Sequence, residues 1–155
     1  MQKEHSAVFI GHGECFGVDE KALEEALLHL IEDGVCCFYN GGMGGFDLLC
    51  ARMVWKLKQR FPNVKQYLVI PYLSMRVHNR EYYDEVIFPE GFERYSFKRA
   101  IGERNRYMVR QADHAVCYVE HRWGGAAKTY AFALRQGCRV IQLGKYQYNT
   151  KKSVE

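Results

Sequence analysis

The chain has 155 residues, 48% hydrophobic and 26% charged, with a formal net charge of +4 from 22 basic and 18 acidic residues. This mixture suits one domain with one core, and no apolar run approaches the ~20 residues of a membrane-spanning helix. The small charge excess argues against nucleic acid as a partner, and the opening MQKEHSAVFIGHGE lacks a signal-peptide pattern, so a cytoplasmic location and no membrane association are expected.

Residues 7–10 (AVFI) are a short apolar run entering Gly11-His12-Gly13, the pattern of a buried strand ending in a turn. Asp19 can cap a helix whose apolar positions are Ala22, Leu23, Ala26, Leu27, Leu30 and Ile31, and Gly34 stops it. A second strand over 35–39 (VCCFY) leads into a loop holding Gly41, Gly42, Gly44 and Gly45. A helix over about 46–60 follows, ended by Pro62, and a third strand over 64–70 (VKQYLVI) closes at Pro71. The stretch 72–97 reads as a long loop with one short strand at 86–88. Within it Arg76, His78, Asn79, Arg80, Tyr82 and Tyr83 form a basic and aromatic cluster, suited either to stacking on a base or to ordinary surface. A helix over about 97–111, a strand at 114–119 (HAVCYV), a turn at Trp123-Gly124-Gly125, a helix over 126–135 and a strand at 139–143 (RVIQL) complete a core spanning about 7–143. The polar tail 145–155 is expected to fray.

Short apolar strands alternating with helices predict an α/β, Rossmann-like, doubly wound fold, with a mainly parallel sheet flanked by helices on both faces. Ligands of such folds bind beyond the carboxyl ends of the strands. The glycine-rich loops 11–13, 41–45 and 124–125 all fall there, so they should share one edge.

The glycines at 41, 42, 44 and 45 match neither the dinucleotide GxGxxG nor a P-loop, and read either as one wall of an anion site or as a tight turn. Asp47 reads as a first-turn acid or as a partner for ribose hydroxyls. Gly124, Gly125, Lys128 and Thr129 open a helix whose first amides can hold a phosphate, or simply start it. Asn105 falls on the apolar stripe of its helix, marked by Ile101, Met108 and Ala112; it is either satisfied by a neighbouring loop or faces the ligand edge with Arg104, which can pair bidentately with a phosphate. His12 is a turn residue or a contact to a base or phosphate. The six cysteines form no CxxC pair, zinc pattern or disulfide framework and read as reduced thiols; Cys15, beside glycines, is the one candidate for reactivity. No metal site is expected.

The ordered set GHG (11–13), NGGMGGFD (40–47), IPY (70–72), RNRYMVRQAD (104–113) and GGAAKTYAFA (124–133) resembles the SLOG superfamily, Rossmann-like domains related to Smf/DprA proteins and to LOG nucleotide hydrolases. The resemblance covers roughly 7–143 and is nearest to small, largely uncharacterised bacterial and phage members. It implies a nucleotide pocket lined by Gly11, Gly41, Gly42, Gly44, Asp47, Arg104, Asn105, Gly124 and Gly125, and a homo-oligomer. Two departures matter. Gly13 stands where those small relatives tend to carry an arginine. Lys128 and Ala131 replace the threonine and glutamate of the LOG pattern PGGxGTxxE, so LOG-type hydrolysis would need another carboxylate, such as Asp47 or Glu103.

The expected function is binding of a nucleotide or an ADP-ribose-like derivative, as a ligand sensor. The alternative is a nucleoside-phosphate N-glycosidase or transferase with Asp47 and His12 as the best acid and base candidates, and a DprA-like nucleic-acid-binding protein ranks behind both. No cofactor is certain beyond such a bound nucleotide.

Overall fold

The computed structural model describes residues 5–148. Its strands are β1 (Ser6–Gly11), β2 (Cys37–Asn40), β3 (Lys65–Val69), β4 (Glu85–Ile87), β5 (His114–Tyr118) and β6 (Arg139–Gln142). The helices are α1 (Glu20–Glu32), α2 (Gly45–Leu57), α3 (Phe97–Arg110) and α4 (Gly125–Arg135). The strands form one six-stranded sheet in the order β4–β3–β2–β1–β5–β6, and every neighbouring pair is parallel. Strand order reverses between β1 and β5, so their carboxyl ends frame the switch point where such folds bind ligands.

Alternation along the strands divides the core into two layers. Ala7 and Phe9 of β1 and Val116 and Tyr118 of β5 face the apolar stripes of α1 and α2, including Leu23, Leu27, Leu30, Phe46 and Val54. Val8 and Ile10, with Ala115 and Cys117, face α3 and α4 through Met108, Val109, Ala127, Tyr130 and Ala133. Asp19 caps α1 as its position suggested, accepting from the Ala22 N–H at 3.1 Å. Phe9 stacks on Phe38 and meets Phe46 edge-on. Truncating it to alanine should cost about 3–5 kcal/mol, measurable by urea denaturation.

Some details go beyond these expectations. The stretch 72–97 is the long connection with one short strand that its sequence predicts, and parts of it pack on the core. It holds single 3₁₀ turns at Arg80–Tyr82 and Phe92–Arg94, and Tyr83 is buried with Leu68, Ile70 and Ala51. Arg80 donates to the Tyr83 carbonyl at 2.7 Å and Tyr82 packs on Trp55, while Arg76, His78, Asn79 and Arg80 are exposed, so only the two tyrosines of that cluster face the fold. The start of the tail is also tied down: the Tyr146 N–H donates to the Val119 carbonyl and its ring meets Tyr130. Residues 149–155, expected to fray, lie outside the described residues. Cys37, Cys50 and Cys117 are buried and the six thiols are free. Burial, with Glu20 nearby, pushes the Cys15 thiol up, a direction that disfavours the thiolate. No helix among the described residues is long and apolar enough to cross a membrane.

Candidate functional site

A cavity of about 140 Å³ lies at the carboxyl end of β1, closed by the starts of α2 and α4 and by one face of α3. Gly11, Asp47, Arg104, Asn105, Gly125 and Thr129, all singled out in the sequence, converge on it. Phe9, Ile10, Met43, Ile101, Met108 and Ala126 supply its apolar lining.

The two helices reach the cavity through matching backbone turns. Gly44, the residue before α2, has φ 90° and ψ 169°, and Gly124, before α4, has φ 93° and ψ 176°. This region is essentially closed to residues with a Cβ, and neither helix carries a side-chain cap. The surroundings differ. The Gly45 N–H donates to the Gly13 carbonyl at 2.8 Å, and a Cβ on Gly44 would lie 2.8 Å from the Gly13 Cα. At α4 the N–H groups of Gly125, Ala126 and Ala127 have no acceptor among the described residues, and Gly125 and Ala126 line the cavity. An uncapped helix start with free amides and the positive end of the helix dipole suits an anion.

The glycine loop therefore makes its close approach to protein. Gly41 gives its carbonyl to Arg104, the Gly42 N–H donates to Asn40 Oδ1 at 2.8 Å, and Gly44 and Gly45 pack on Gly13. Of this run only Met43 and, behind the glycines, Asp47 line the cavity. Asn40 is fully buried and also donates to the Asp47 carbonyl at 2.9 Å and to Gln66, a network that fixes the start of α2.

Arg104 is 2% exposed. Its Nη1 donates to the Gly41 carbonyl at 2.8 Å and the Val69 carbonyl at 2.9 Å, Nε to Asn105 Oδ1 at 2.9 Å, and Nη2 to the Met43 sulfur. Four of its five N–H groups are thus engaged. The expected bidentate grip on a phosphate is unavailable unless these bonds break; what remains is one Nη2 hydrogen and a buried positive charge. No carboxylate lies within ion-pair distance among the described residues. Burial lowers the guanidinium from its ordinary value, while Asp47 opposes the shift.

Asp47 is the opposing group. Burial pushes its carboxyl up to about 7, against the pull of Arg104 and of the Met43 N–H, which donates to Oδ2 at 3.1 Å. Near neutral pH the cavity thus holds a buried cation whose one nearby acid is only partly ionised. Because the folded carboxyl titrates above an unfolded aspartate, the fold binds the extra proton. Stability is therefore highest below about pH 4 as far as this group is concerned, and falls as pH rises toward about 7. Asp47→Asn keeps an acceptor for the Met43 N–H and should remove that slope. Urea denaturation at pH 5 and 8 should show a wild-type loss on the order of 1–3 kcal/mol that the variant lacks.

His12 belongs to a different cavity. Its Nε2 accepts from the Glu120 N–H at 2.9 Å, and its ring stacks on His121 at 4.1 Å, which stacks on Trp123 at 3.8 Å. That cavity, about 560 Å³, is lined by Glu14, Phe16, Tyr118, Glu120 and His121. Burial and His121 lower the imidazole pKa. With Nε2 occupied and the ring on the other cavity, His12 does not join Asp47 in one acid–base pair. Sequence reading missed Glu120 and His121, because their approach depends on β5 lying beside β1. Lys128 is exposed and lines a groove beside the cavity, while the Thr129 hydroxyl donates to the Gly125 carbonyl at 2.8 Å. Glu103, the other carboxylate considered for catalysis, is bound to Arg106 at 3.0 Å. No group of three His, Cys, Asp or Glu residues that could hold a metal occurs among the described residues.

A sequence profile of the YspA SLOG family matches residues 7–138. The chain belongs to this family. Among individual relatives, a UPF0398 protein of Halalkalibacterium halodurans is 27% identical over 121 residues, covering 72% of this chain and 64% of its own length. A UPF0398 protein of Bacillus licheniformis is 26% identical over 104 residues, covering 61% and 57%. The chain thus spans about three fifths of the length of these relatives. In three dimensions it is similar to DNA processing protein A from Helicobacter pylori (TM-score 0.65, 12% identity, 98% of this chain and 72% of that one). It is likewise similar to DNA processing protein A from Streptococcus pneumoniae (TM-score 0.65, 17% identity, 90% and 50%). At such identities the likeness concerns the fold. The SLOG resemblance read from the five motifs therefore stands, and the YspA SLOG profile runs from β1 through α4, short of the last strand.

Proposed function

We propose that this SLOG protein binds a nucleotide or nucleotide derivative, with a phosphate on the free amides of α4 and the sugar toward Asp47. The observation that carries the reading is Arg104, a buried cation on the cavity wall with no ion-paired carboxylate among the described residues. An anion in the cavity would neutralise it in a low-dielectric setting, where that attraction is strong. Asp47, with Oδ2 on the Met43 N–H, keeps acceptor capacity for a hydroxyl, and the apolar lining excludes water from the rest.

Gly125→Glu tests this directly. Gly125 is exposed, a Cβ there meets nothing within 4 Å, and an acid in the first turn of a helix is compatible with the dipole. The variant should fold normally yet place a carboxylate where the phosphate sits. Calorimetric titration with nucleoside monophosphates should give saturable binding to wild type and at least about tenfold weaker binding to the variant, a loss of ~1.4 kcal/mol. Equal affinities would remove the α4 start from the site.

One observation favours a second reading. A carboxyl held near 7 beside a sugar-sized cavity is suited to general acid–base work, so N-glycosidic cleavage is the enzymatic alternative. Incubation with a bound nucleotide would then release free base, and Asp47→Asn would stop release while retaining binding. Unchanged nucleotide favours a sensor. A homo-oligomer, one domain and a cytoplasmic setting complete the proposal, and nucleic acid is not the partner it favours.

A further inference from the structure

Between α3 and α4 a groove of about 500 Å³ runs away from the cavity. The two share Ile101, Asn105, Gly125 and Thr129, so they are continuous around the start of α4. Lys98 and Arg106 of α3 and Lys128 and Arg135 of α4 line the groove, and no carboxylate does. Of these four, only Arg106 reaches an acid, Glu103, among the described residues. Lys98, Lys128 and Arg135 are exposed cations on facing helices, with no ion-paired acid among the described residues. Like charges so placed repel one another, and a ligand that brings several negative charges relieves that cost. The cavity itself, at about 140 Å³, is well below the ~300 Å³ at the small end of pockets that enclose a whole organic ligand. A nucleotide must therefore extend beyond it, and the direction that offers opposite charge is this groove.

Resting on the reading above, we infer that the ligand is a nucleotide bearing a chain of two or more phosphates. The phosphate nearest the sugar sits at the start of α4, and those beyond it lie between Lys98, Lys128 and Arg135. Asn105 and Thr129, on the shared rim, mark where the chain turns from cavity to groove. Arg106, already paired with Glu103, contributes least.

The test is a calorimetric titration of the full chain with mono-, di- and triphosphates of adenosine, guanosine, cytidine and uridine. For whichever base binds, affinity should rise about tenfold from mono- to triphosphate and fall more steeply with salt for the triphosphate. The double variant Lys98→Gln, Arg135→Gln changes two exposed side chains; Arg135 also lies over the Phe132 ring at 6.0 Å, so the variant should melt within a few degrees of wild type and remain folded for the titration. In it the gain from mono- to triphosphate should shrink below about twofold, from the tenfold that two or three charge-assisted contacts would supply. Monophosphate binding with no gain along the series overturns this inference alone, as does a gain that survives in the variant. Failure of all twelve nucleotides to bind overturns the nucleotide reading as well.

Discussion

Replacing Arg104 with methionine should destabilise the fold by about 2–5 kcal/mol, the largest loss expected from any polar residue in the chain. The side chain joins three elements. From α3 it reaches the carbonyls at the ends of β2 and β3, Gly41 and Val69, and a neighbour on its own helix, Asn105. Methionine matches much of the volume but leaves two buried carbonyls without donors, at roughly 1–3 kcal/mol each. Removing a buried charge gives some of this back, which is why the range is wide. Lysine retains the charge but cannot span two carbonyls and an amide from one nitrogen, so Arg104→Lys should lose less stability than methionine while still loosening the cavity wall. Denaturant titration of the three proteins decides it. A methionine variant as stable as wild type would mean that the carbonyls find other partners. Both variants should also weaken monophosphate binding, methionine more, because only it removes the cavity's cation.

The second large effect separates two glycines that the backbone makes look alike. Gly44→Ala and Gly124→Ala both force a Cβ into a region of φ and ψ that side chains avoid, at about 1–3 kcal/mol of strain each. At Gly124 nothing lies within 4 Å of the new atom, so strain is the whole cost. At Gly44 the atom also meets the Gly13 backbone at 2.8 Å, which must move. Gly44→Ala should therefore be worse by a further 1–3 kcal/mol or so, with broadened signals in the 11–13 loop. Equal losses would show that the joint between the two loops yields freely. Larger residues at Gly44 should unfold the protein rather than silence a binding site, which makes Gly125 the better position for testing function.

Much of the fold was legible because its signals are local. Apolar-rich runs of three to seven residues alternate with helical periodicity, and Gly, Pro and Asp mark most boundaries, so all six strands and four helices were placed within a few residues. The order of the strands was not legible, since no residue pattern records which strand pairs with which. The same gap explains the stack of His12 on His121, which exists because β5 lies against β1. Within 72–97 the two short turns and the burial of Tyr83 were not legible, because 3₁₀ turns of three residues carry no periodicity and a lone buried tyrosine looks like an exposed one.

The site was legible in membership and less so in roles. Six of the singled-out residues line one cavity because motifs at strand ends must meet at one edge of a parallel sheet. Arg104 looked like a phosphate ligand because its neighbour Asn105 breaks the apolar stripe of the helix; its actual partners include backbone carbonyls 63 and 35 residues away, which have no side-chain signature. The glycine loop correctly signalled close backbone approach. It could not say that the approaching group was Gly13 of the same chain. The groove cations Lys98 and Arg135 carry no sequence signal of their own, because only the packing of α3 against α4 brings them to one groove.

The central claim is that an anionic nucleotide group rests on the first amides of α4 beside Arg104. Amide NMR during titration with the tightest-binding nucleotide tests it most directly. With an anion seated there, the largest shifts fall on the N–H signals of Gly125, Ala126 and Ala127 and on the Arg104 side chain, saturating together. Shifts centred instead on His12, Glu120 and His121, with the α4 amides unmoved, would contradict it.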